Sequence, residues 1–337
     1  MLRIIKNTFL NYTPLNFKTE DNINPARILK INNNPIKNGN IIYLCEREIR
    51  AKDNFALHFA LQKSKELNLP LKIIHPKINY EYQSKQKFID SQIEQVQKIF
   101  KILNLDFEII DKKPSEIIKN LNPAILIFDF NPILKRNYLR NIDCKVYEID
   151  GHNIIPARFV SDKQEYSAAT LRRKIYYNIF PFLTEFKNLI TDKVEADYVL
   201  ENFIKNKLPY YSELKNDPSK NVLSNLSKYL NLGFISSQRA ALEIIKSKAE
   251  KDNKEAFLEE LIVRKELADN FCLYAKSFKD FSSIPSWAKL SLEFHKFDLR
   301  PYIYSIQEFE NAKTHDKLWN AAQNQLMCEG TIHGYLR

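Results

Sequence analysis

IIYLC at residues 41–45, FALHFALQKSKELNL at 55–69 and LKIIHP at 71–76 form a strand, helix and strand pattern. The two short runs are rich in β-branched residues, whereas the segment between them repeats its apolar residues at helical spacing. Two consecutive strands joined by a helix require a crossover connection, so the strands run parallel in one sheet. The stretch 41–76 therefore predicts a βαβ unit.

The same alternation continues to about residue 150. An amphipathic helix is predicted over 83–103, and further strands are predicted in DFEII (106–110), AILIFDF (124–130) and KVYEID (145–150). The first half is therefore predicted to be a doubly wound α/β domain, with helices on both faces of a parallel sheet. Such sheets bind ligands beyond the carboxyl ends of their strands. The five glycines form neither a GxGxxG motif nor a P-loop, so a dinucleotide pyrophosphate is expected elsewhere.

From about residue 165 the strand pattern stops and helices with 3.6-residue apolar stripes take over. They are predicted over 192–205, 236–249, 255–276, 286–297 and 316–329. The fold class is therefore α/β followed by all-α. The predicted division is an N-terminal extension at 1–38, an α/β domain at 39–158, a linker at 159–188 and a helical domain at 189–337.

Composition limits the class of protein without deciding it. The net charge of +10 favours a polyanionic partner, and nucleic acid is the first candidate. The alternative is a surface solvated by the lysines of an AT-rich genome. Four widely spaced cysteines form no CxxC motif, which favours reduced thiols in the cytosol. No apolar run is long enough to span a membrane, and no metal-ligand spacing occurs.

FLEELIVRKELADNF at 257–271 places a cation on an apolar helix face. Arg264 falls between two phenylalanines of that face, and Glu260 precedes it by one turn in the favourable order for an i,i+4 pair. The pair is either a surface salt bridge or part of a site for an anionic ligand.

Two other stretches group polar and aromatic residues near helix ends. VLSNLSKYLNLGFISSQRAALEII at 222–245 carries hydroxyl and amide side chains before a helix, a setting that suits phosphate oxygens or an ordinary capped loop with Ser236 as N-cap. THDKLWNAAQNQLMCEGTIHGYLR at 314–337 has Asp316 as a helix cap, and a turn there brings in His333, Tyr335 and Arg337. Such residues serve as core and cap in many proteins.

Together, these three stretches resemble the flavin-domain motifs of class II cyclobutane-pyrimidine-dimer DNA photolyases. DGHNIIPARFVSDKQEYSAATLRRKI at 150–175 and REIRAKDNFAL at 47–57 are similar to the same class. The resemblance covers nearly all of the chain from about residue 40. It implies an α/β domain, which in some members holds an antenna chromophore, and a helical domain that binds FAD beside UV-damaged DNA. It also implies a helical domain that is truncated at its C-terminal end.

The resemblance implies roles for named residues. Arg264 is expected near the cofactor, Glu260 is expected to contact the dimer as the catalytic group, and Arg337 is expected beside the isoalloxazine ring. The implied cofactor-binding residues are Tyr211, Ser224, Asn225, Leu226, Ser227, Phe257, Glu260, Arg264 and Arg337. The implied DNA-binding residues are Arg239, Trp319, Asn320 and Gly334.

The chain also departs from the family pattern. Lys228 stands where a proline is usual, Thr331 and Ile332 replace a Lys-Met pair, and two tryptophans do not suffice for a tryptophan redox chain. Three hypotheses follow. The first is a light-driven repair enzyme, either in a form whose remaining segment is supplied elsewhere or as a fragment of one; the second is a degenerate member that binds DNA or flavin without repair; the third is a cryptochrome-like photoreceptor. A monomer in the cytoplasm is expected.

Overall fold

A six-stranded sheet forms the centre of the first half in the computed structural model, which describes residues 19–20, 22–80, 82–134, 136–186 and 188–336. Its strand order is β2-β7-β6-β3-β4-β5, and all neighbours pair in parallel except β2 with β7. This confirms the predicted sheet. The strands of the chain are β1 Thr19–Glu20, β2 Ile28–Lys30, β3 Ile41–Leu44, β4 Leu71–Pro76, β5 Phe107–Ile110, β6 Ile125–Asp129, β7 Lys145–Ile149 and β8 Glu185–Phe186.

The edge strand β2 lies in the segment that was predicted to be an N-terminal extension. It has three residues and a mostly exposed pattern, so its sequence carries no periodic signal. The neighbouring Arg27 is buried, and its guanidinium donates to the carbonyls of Asp150, Asn153 and Ile154 at 2.8–2.9 Å. Residues 22–30 are therefore part of the folded body.

Local signals explain where the helices of the sheet domain begin and end. The side chain of Asn54 accepts from the N–H of Leu57 at 2.8 Å and caps the first helix, which ends at Asn68 with φ of 52°. Asparagine tolerates this left-handed conformation better than most residues. These helices are α1 Phe55–Leu67, α2 Gln83–Ile102 and α3 Pro114–Leu121.

The remainder is helical, as predicted, apart from the two-residue β8. Its helices are α4 Ala157–Val160, α5 Ala168–Asn178, α6 Glu195–Asn206, α7 Tyr211–Leu214, α8 Ser227–Asn231, α9 Ser237–Lys246, α10 Lys251–Leu258, α11 Lys265–Tyr274, α12 Ser286–Phe294, α13 Ile306–Glu310 and α14 Lys317–Glu329. The predicted continuous helix over 255–276 is interrupted, because a π-helix at Glu259–Arg264 separates α10 from α11. Short 3₁₀ turns occupy Pro25–Arg27, Asn137–Asn141, Phe180–Phe182, Leu208–Tyr210, Phe281–Ser283, His295–Phe297 and Gly334–Leu336.

The loop at 46–50 joins the sheet to the helices. The Asp129 carboxylate accepts from the backbone N–H groups of residues 46, 47 and 48, each at 2.9 Å. Arg50 then donates to the carbonyl of Gly233 at 2.8 Å. Gly233 has φ of +69°, and a Cβ there would lie 1.9 Å from the Arg47 carbonyl oxygen, so only glycine fits. One hydrophobic core runs across this junction.

Candidate flavin site

A cavity of about 640 Å³ lies between the loop before α8 and the C-terminal helix α14. We call it the SNLS cavity, after residues 224–227. It brings together residues that are separated by more than 100 positions in the sequence. Six of the predicted site residues line it: Tyr211, Ser224, Asn225, Ser227, Trp319 and Gly334.

The loop side of the cavity is polar and held in an unusual conformation. Asn225 has φ of +58°, in the left-handed region, and the hydroxyl of Ser224 accepts from the N–H of Leu226 at 3.3 Å. The Leu226 side chain is fully buried beneath the loop, so it supports the cavity from below and does not line it. Asparagine adopts this conformation more readily than most residues, so the loop turns sharply here without strong backbone strain.

An aromatic cluster forms the floor. The ring of Tyr211 lies 5.4 Å from that of Phe257, which in turn lies 4.7 Å from that of Phe203. Burial, and secondly the charge of Glu260, raises the pKa of the Tyr211 phenol. The hydroxyl is therefore neutral at physiological pH. Phe257 is buried behind Tyr211 and supports the wall without lining it.

The opposite wall is one face of α14. Trp319, Ala322, Gln323 and Leu326 occupy positions i, i+3, i+4 and i+7, which share one side of a helix. Sequence reasoning singled out Trp319 alone, although this spacing was a signal for the other three. Among the described residues, no charged side chain lines the cavity.

Asn320 does not face the cavity. Its side chain donates to the carbonyl of Thr314 at 2.7 Å and accepts from the N–H of Thr314 at 2.9 Å, so it closes the turn before α14. Asp316 caps the helix as predicted, since its side chain accepts from the N–H of Leu318 at 2.8 Å. Arg337 lies outside the described residues.

His333 is a residue whose role the sequence did not reveal. It is buried between two lining residues of the cavity, Ile332 and Gly334. Its Nδ1 accepts from the N–H of Tyr335 at 3.2 Å, whereas Nε2 has no hydrogen-bond partner. A buried polar atom without a partner next to a cavity is a place where a ligand can bond.

The prediction that Glu260 and Arg264 form an ion pair is wrong. A π-helix brings residues five apart onto one line, and Arg264 lies 3.5 Å from Glu259 instead. Glu260 bonds Lys215 at 3.2 Å, and both Glu260 and Arg264 have about half of their side chains exposed. Removal of Arg264 therefore leaves no buried, unpaired carboxylate at Glu260.

Arg239 also lies apart from the cavity. Its guanidinium contacts three carboxylates, those of Asp53 at 2.9 Å, Glu185 at 2.8 Å and Glu243 at 3.1 Å, and its side chain is mostly buried. Carboxylates of the protein thus neutralise the guanidinium, and the contact with Asp53 links α9 to the loop before α1. This geometry disfavours a contact of Arg239 with DNA.

Several known proteins are similar to this chain in sequence or in structure. No protein-family model matches the chain. A deoxyribodipyrimidine photo-lyase of Potorous tridactylus is 32% identical over 350 residues, in an alignment that covers 88% of this chain and 65% of that protein. The deoxyribodipyrimidine photo-lyase of Arabidopsis thaliana is 30% identical over 357 residues, covering 89% of this chain and 72% of that protein. This chain belongs to the deoxyribodipyrimidine photo-lyase family.

The predicted photo-lyase family is thereby confirmed, and the chain spans about two thirds of the length of these relatives. Two solved structures share the fold. A bacterial class III photolyase from Agrobacterium tumefaciens has a TM-score of 0.65 and 15% identity, covering 89% of this chain and 71% of its own. An archaeal photolyase from Sulfolobus tokodaii, solved with two FAD molecules, has a TM-score of 0.59 and 12% identity, covering 88% and 73%. The predicted fold class is confirmed, and membership of class II stays a prediction.

A second crevice of this photo-lyase chain, about 600 Å³ in volume, lies at the carboxyl edge of the sheet. Glu46 and Asn131 line it just beyond β3 and β6, the two strands between which the strand order reverses. Open α/β sheets bind ligands at such a switch point. The crevice therefore has the position that ligands occupy in sheets of this class.

Within the described part of the chain, no helix is long and apolar enough to cross a bilayer. The same residues include no group of three or more His, Cys, Asp or Glu placed to hold a metal ion. All four cysteines are free thiols, and Cys45 and Cys144 are buried.

Proposed function

We propose that this chain binds FAD in the SNLS cavity and serves the light-dependent repair of cyclobutane pyrimidine dimers in DNA. The observation that carries the proposal is the convergence of six predicted site residues, which lie at 211, 224–227 and 319–334 in the sequence, on one cavity of a photo-lyase family member. The volume of about 640 Å³ falls in the range of small-molecule sites.

The lining residues fit the two chemical halves of a flavin nucleotide. The hydroxyls of Ser224 and Ser227 and the amide of Asn225 provide neutral donors for phosphate and ribityl oxygens. The ring system would lie against Trp319, Leu326 and Ile332, which exclude water from it. The free Nε2 of His333 supplies a further polar contact if its side chain turns slightly toward the cavity.

Reduced FAD, when bound, supplies on illumination the electron that opens the cyclobutane ring. The protein must hold the lesion close to the cofactor after the dimer has been flipped out of the duplex, which is easiest where pairing is already damaged. Trp319 is partly exposed at the cavity edge and offers a stacking surface for an extruded base. Gly334 leaves that edge open, since nothing lies within 4 Å of a Cβ placed there.

Glu260 remains the proposed contact to the dimer. It lies near Tyr211 at the floor and is half exposed, and Lys215 holds its carboxylate. Lys215 donates to Oε1 of Glu260, and Oε2 can accept from a pyrimidine N–H. The net charge of +10 would add salt-dependent attraction to the DNA backbone.

The test is reconstitution of the purified chain with FAD, followed by flavin absorbance and illumination with a dimer-containing oligonucleotide. We expect yellow protein and loss of dimers in the light. Trp319→Ala and the double variant Ser224→Ala/Ser227→Ala should bind FAD about 10-fold more weakly, as about 1.4 kcal/mol of lost contacts would give. Tyr177→Ala, at an exposed position on α5, is the control. FAD binding that none of these variants weakens would refute the assignment of the cavity.

A second candidate is a family member that binds flavin or DNA without repair. The uncharged lining of the cavity favours the form that binds DNA without flavin, because no described cation there offsets the pyrophosphate charge of FAD. DNA binding by colourless protein would identify this form, whereas flavin retention with intact dimers after illumination would identify a flavin-binding member without repair. The expectations of a possible antenna chromophore, a monomer and a cytoplasmic location are part of the proposal, and we place the chromophore in the crevice at the carboxyl edge of the sheet.

A further inference from the structure

His333 holds a buried polar atom beside the SNLS cavity that the protein does not satisfy. The residue is 8% exposed, and its Nε2 has no hydrogen-bond partner within the described part of the chain. It stands between Ile332 and Gly334, which both line the cavity. An unbonded buried polar atom costs free energy, so this nitrogen calls for a partner from outside the chain.

The other ring nitrogen of His333 decides where the imidazole carries its proton. Nδ1 accepts from the backbone N–H of Tyr335 at 3.2 Å. A nitrogen that accepts has no proton, so the proton of the neutral ring is on Nε2. Nε2 is therefore a hydrogen-bond donor, and the partner that it lacks is an acceptor.

The surroundings of His333 place it near the loop side of the cavity, which is polar. The ring lies within electrostatic range of Asp217, and the chain from Asp217 continues into Ser224 and Asn225 at the cavity wall. The Asp217 carboxylate accepts from the N–H and the hydroxyl of Ser219, at 2.9 and 2.7 Å, and forms no hydrogen bond with Nε2. The missing acceptor is therefore best supplied from the cavity.

The chemistry of the cavity indicates an anionic acceptor at this place. The lining residues in the described part of the chain are uncharged, so an anion there depends on neutral donors. Hydrogen bonds to a charged oxygen are about twice as strong as those between neutral groups. The neutral ring of a flavin fits the wall at Trp319 and Leu326 instead, which leaves the phosphate groups for the loop side.

The turn that carries His333 has room to move toward a ligand. Nothing lies within 4 Å of a Cβ placed at Gly330 or at Gly334, the glycines on either side of it. Residues 331–333 belong to no helix or strand. A small shift of this turn therefore meets little resistance at its two ends, and it would bring the ring to the cavity wall.

We propose that the Nε2–H of His333 donates to a phosphate oxygen of the nucleotide in the SNLS cavity, so that the cavity selects phosphorylated flavins over riboflavin. The inference rests on the proposed binding of FAD in this cavity. An uncharged wall would thus recognise an anion through a neutral N–H donor, as the backbone N–H groups of helix N-termini do.

The experiment measures the affinity of the full chain for FAD and for riboflavin by fluorescence titration. His333→Phe keeps an aromatic ring without a donor and should bind FAD about 10-fold more weakly, since one hydrogen bond to a charged group is lost. Its affinity for riboflavin should stay unchanged. His333→Gln should recover most of the FAD affinity, because its amide nitrogen can donate in place of Nε2. Both substitutions remove Nδ1, so the difference between them isolates the donor.

A second measurement needs no flavin. Nitrogen-15 NMR of the ligand-free chain should show the proton of His333 on Nε2, and addition of FAD should shift this resonance. His295→Phe is the matched control, because His295 is exposed and bonds Asp298 at 2.7 Å. This variant should bind FAD and riboflavin like the unchanged chain.

Three results would overturn the inference alone. They are a proton on Nδ1, an FAD affinity that His333→Phe leaves unchanged because water satisfies Nε2, and equal losses of FAD and riboflavin affinity, which would place the contact at the flavin ring or in the fold. Failure of the proposed function would look different: FAD would not bind at all, or Trp319→Ala would leave its affinity unchanged, and both proposals would fall.

Discussion

The body at 22–274 and the terminal part at 275–336 differ in how they pack. The body has two large apolar clusters, one on each face of the sheet, and it gives buried charges partners: backbone N–H groups bond the Asp129 carboxylate, and carboxylates surround Arg239. Within the described stretch 275–336, Ala322 and His333 are the two buried residues. Both parts contain aromatic helices, so composition does not cause the difference. The body buries most of its apolar helix faces, whereas most of the terminal part is exposed.

The largest expected effect is a difference in stability between alanine substitutions at two glycines with the same backbone conformation. Gly233 in the body and Gly330 in the terminal part have φ of +69° and +68°. Gly330→Ala should cost about 1 kcal/mol, the penalty of a left-handed alanine. Gly233→Ala should cost about 4 kcal/mol or more, because its Cβ also meets the backbone of Arg47 and Glu48. Urea denaturation measures both, and similar losses would contradict the contrast.

Arg239→Ala should have the next largest effect, about 3 kcal/mol, because it leaves the buried Asp53 carboxylate without its cation. Arg239→Lys should recover part of this loss. DNA affinity, measured by fluorescence anisotropy at fixed salt with folded protein, should not change. A fall in affinity for every DNA sequence, with a smaller salt slope, would instead restore the sequence-based assignment of Arg239 to the DNA surface.

A pH effect of about 3 kcal/mol should belong to the body as well, which is what a pKa change from 4.5 to about 7 at one carboxyl amounts to. Burial raises the pKa of Glu48 from 4.5 to about 7, although the cation of Arg50 opposes this shift. The folded state therefore holds a proton that the unfolded state has lost, and stability falls as pH rises from about 4.5 to 7.

Glu48→Gln should flatten this part of the stability curve, measured by urea titration at several pH values. Burial also raises the pKa of Glu266 to about 7, so a residual slope of the same sign should remain. A Glu48→Gln variant whose stability falls as steeply as that of the unchanged chain would show that Glu48 is already ionised in the folded state.

The smallest effect is expected for Arg264→Ala, within about 0.5 kcal/mol, since the side chain is 56% exposed and contacts Glu259 at 3.5 Å. Flavin content of this variant separates two interpretations. The motif predicts loss of FAD, whereas the geometry predicts retention, because Arg264 does not line the SNLS cavity. Trp319→Ala, which does alter the lining, serves as the comparison.

Much of the fold was predictable because its signals are local. The strands β3 to β7 and the helix α1 follow from periodicity and from the Asn54 cap, and Asp316 was correctly placed as a cap. The strand β2 was missed because three half-exposed residues carry no period. The site was predictable in part, since Ser224, Asn225 and Trp319 were chosen by motif and do share a cavity.

What remained unpredictable depends on contacts between distant residues. A helical wheel assumes 3.6 residues per turn, and one π-helical turn was enough to exchange the partner of Arg264 from Glu260 to Glu259. Likewise, a sequence does not show that Arg239 meets Asp53, 186 positions away, or that Nε2 of His333 is buried without a partner. Local sequence specifies which elements form and where they end, because hydrogen bonds and caps span a few residues. Which charges are neutralised, and which faces stay open, depends on the distances between elements that folding sets.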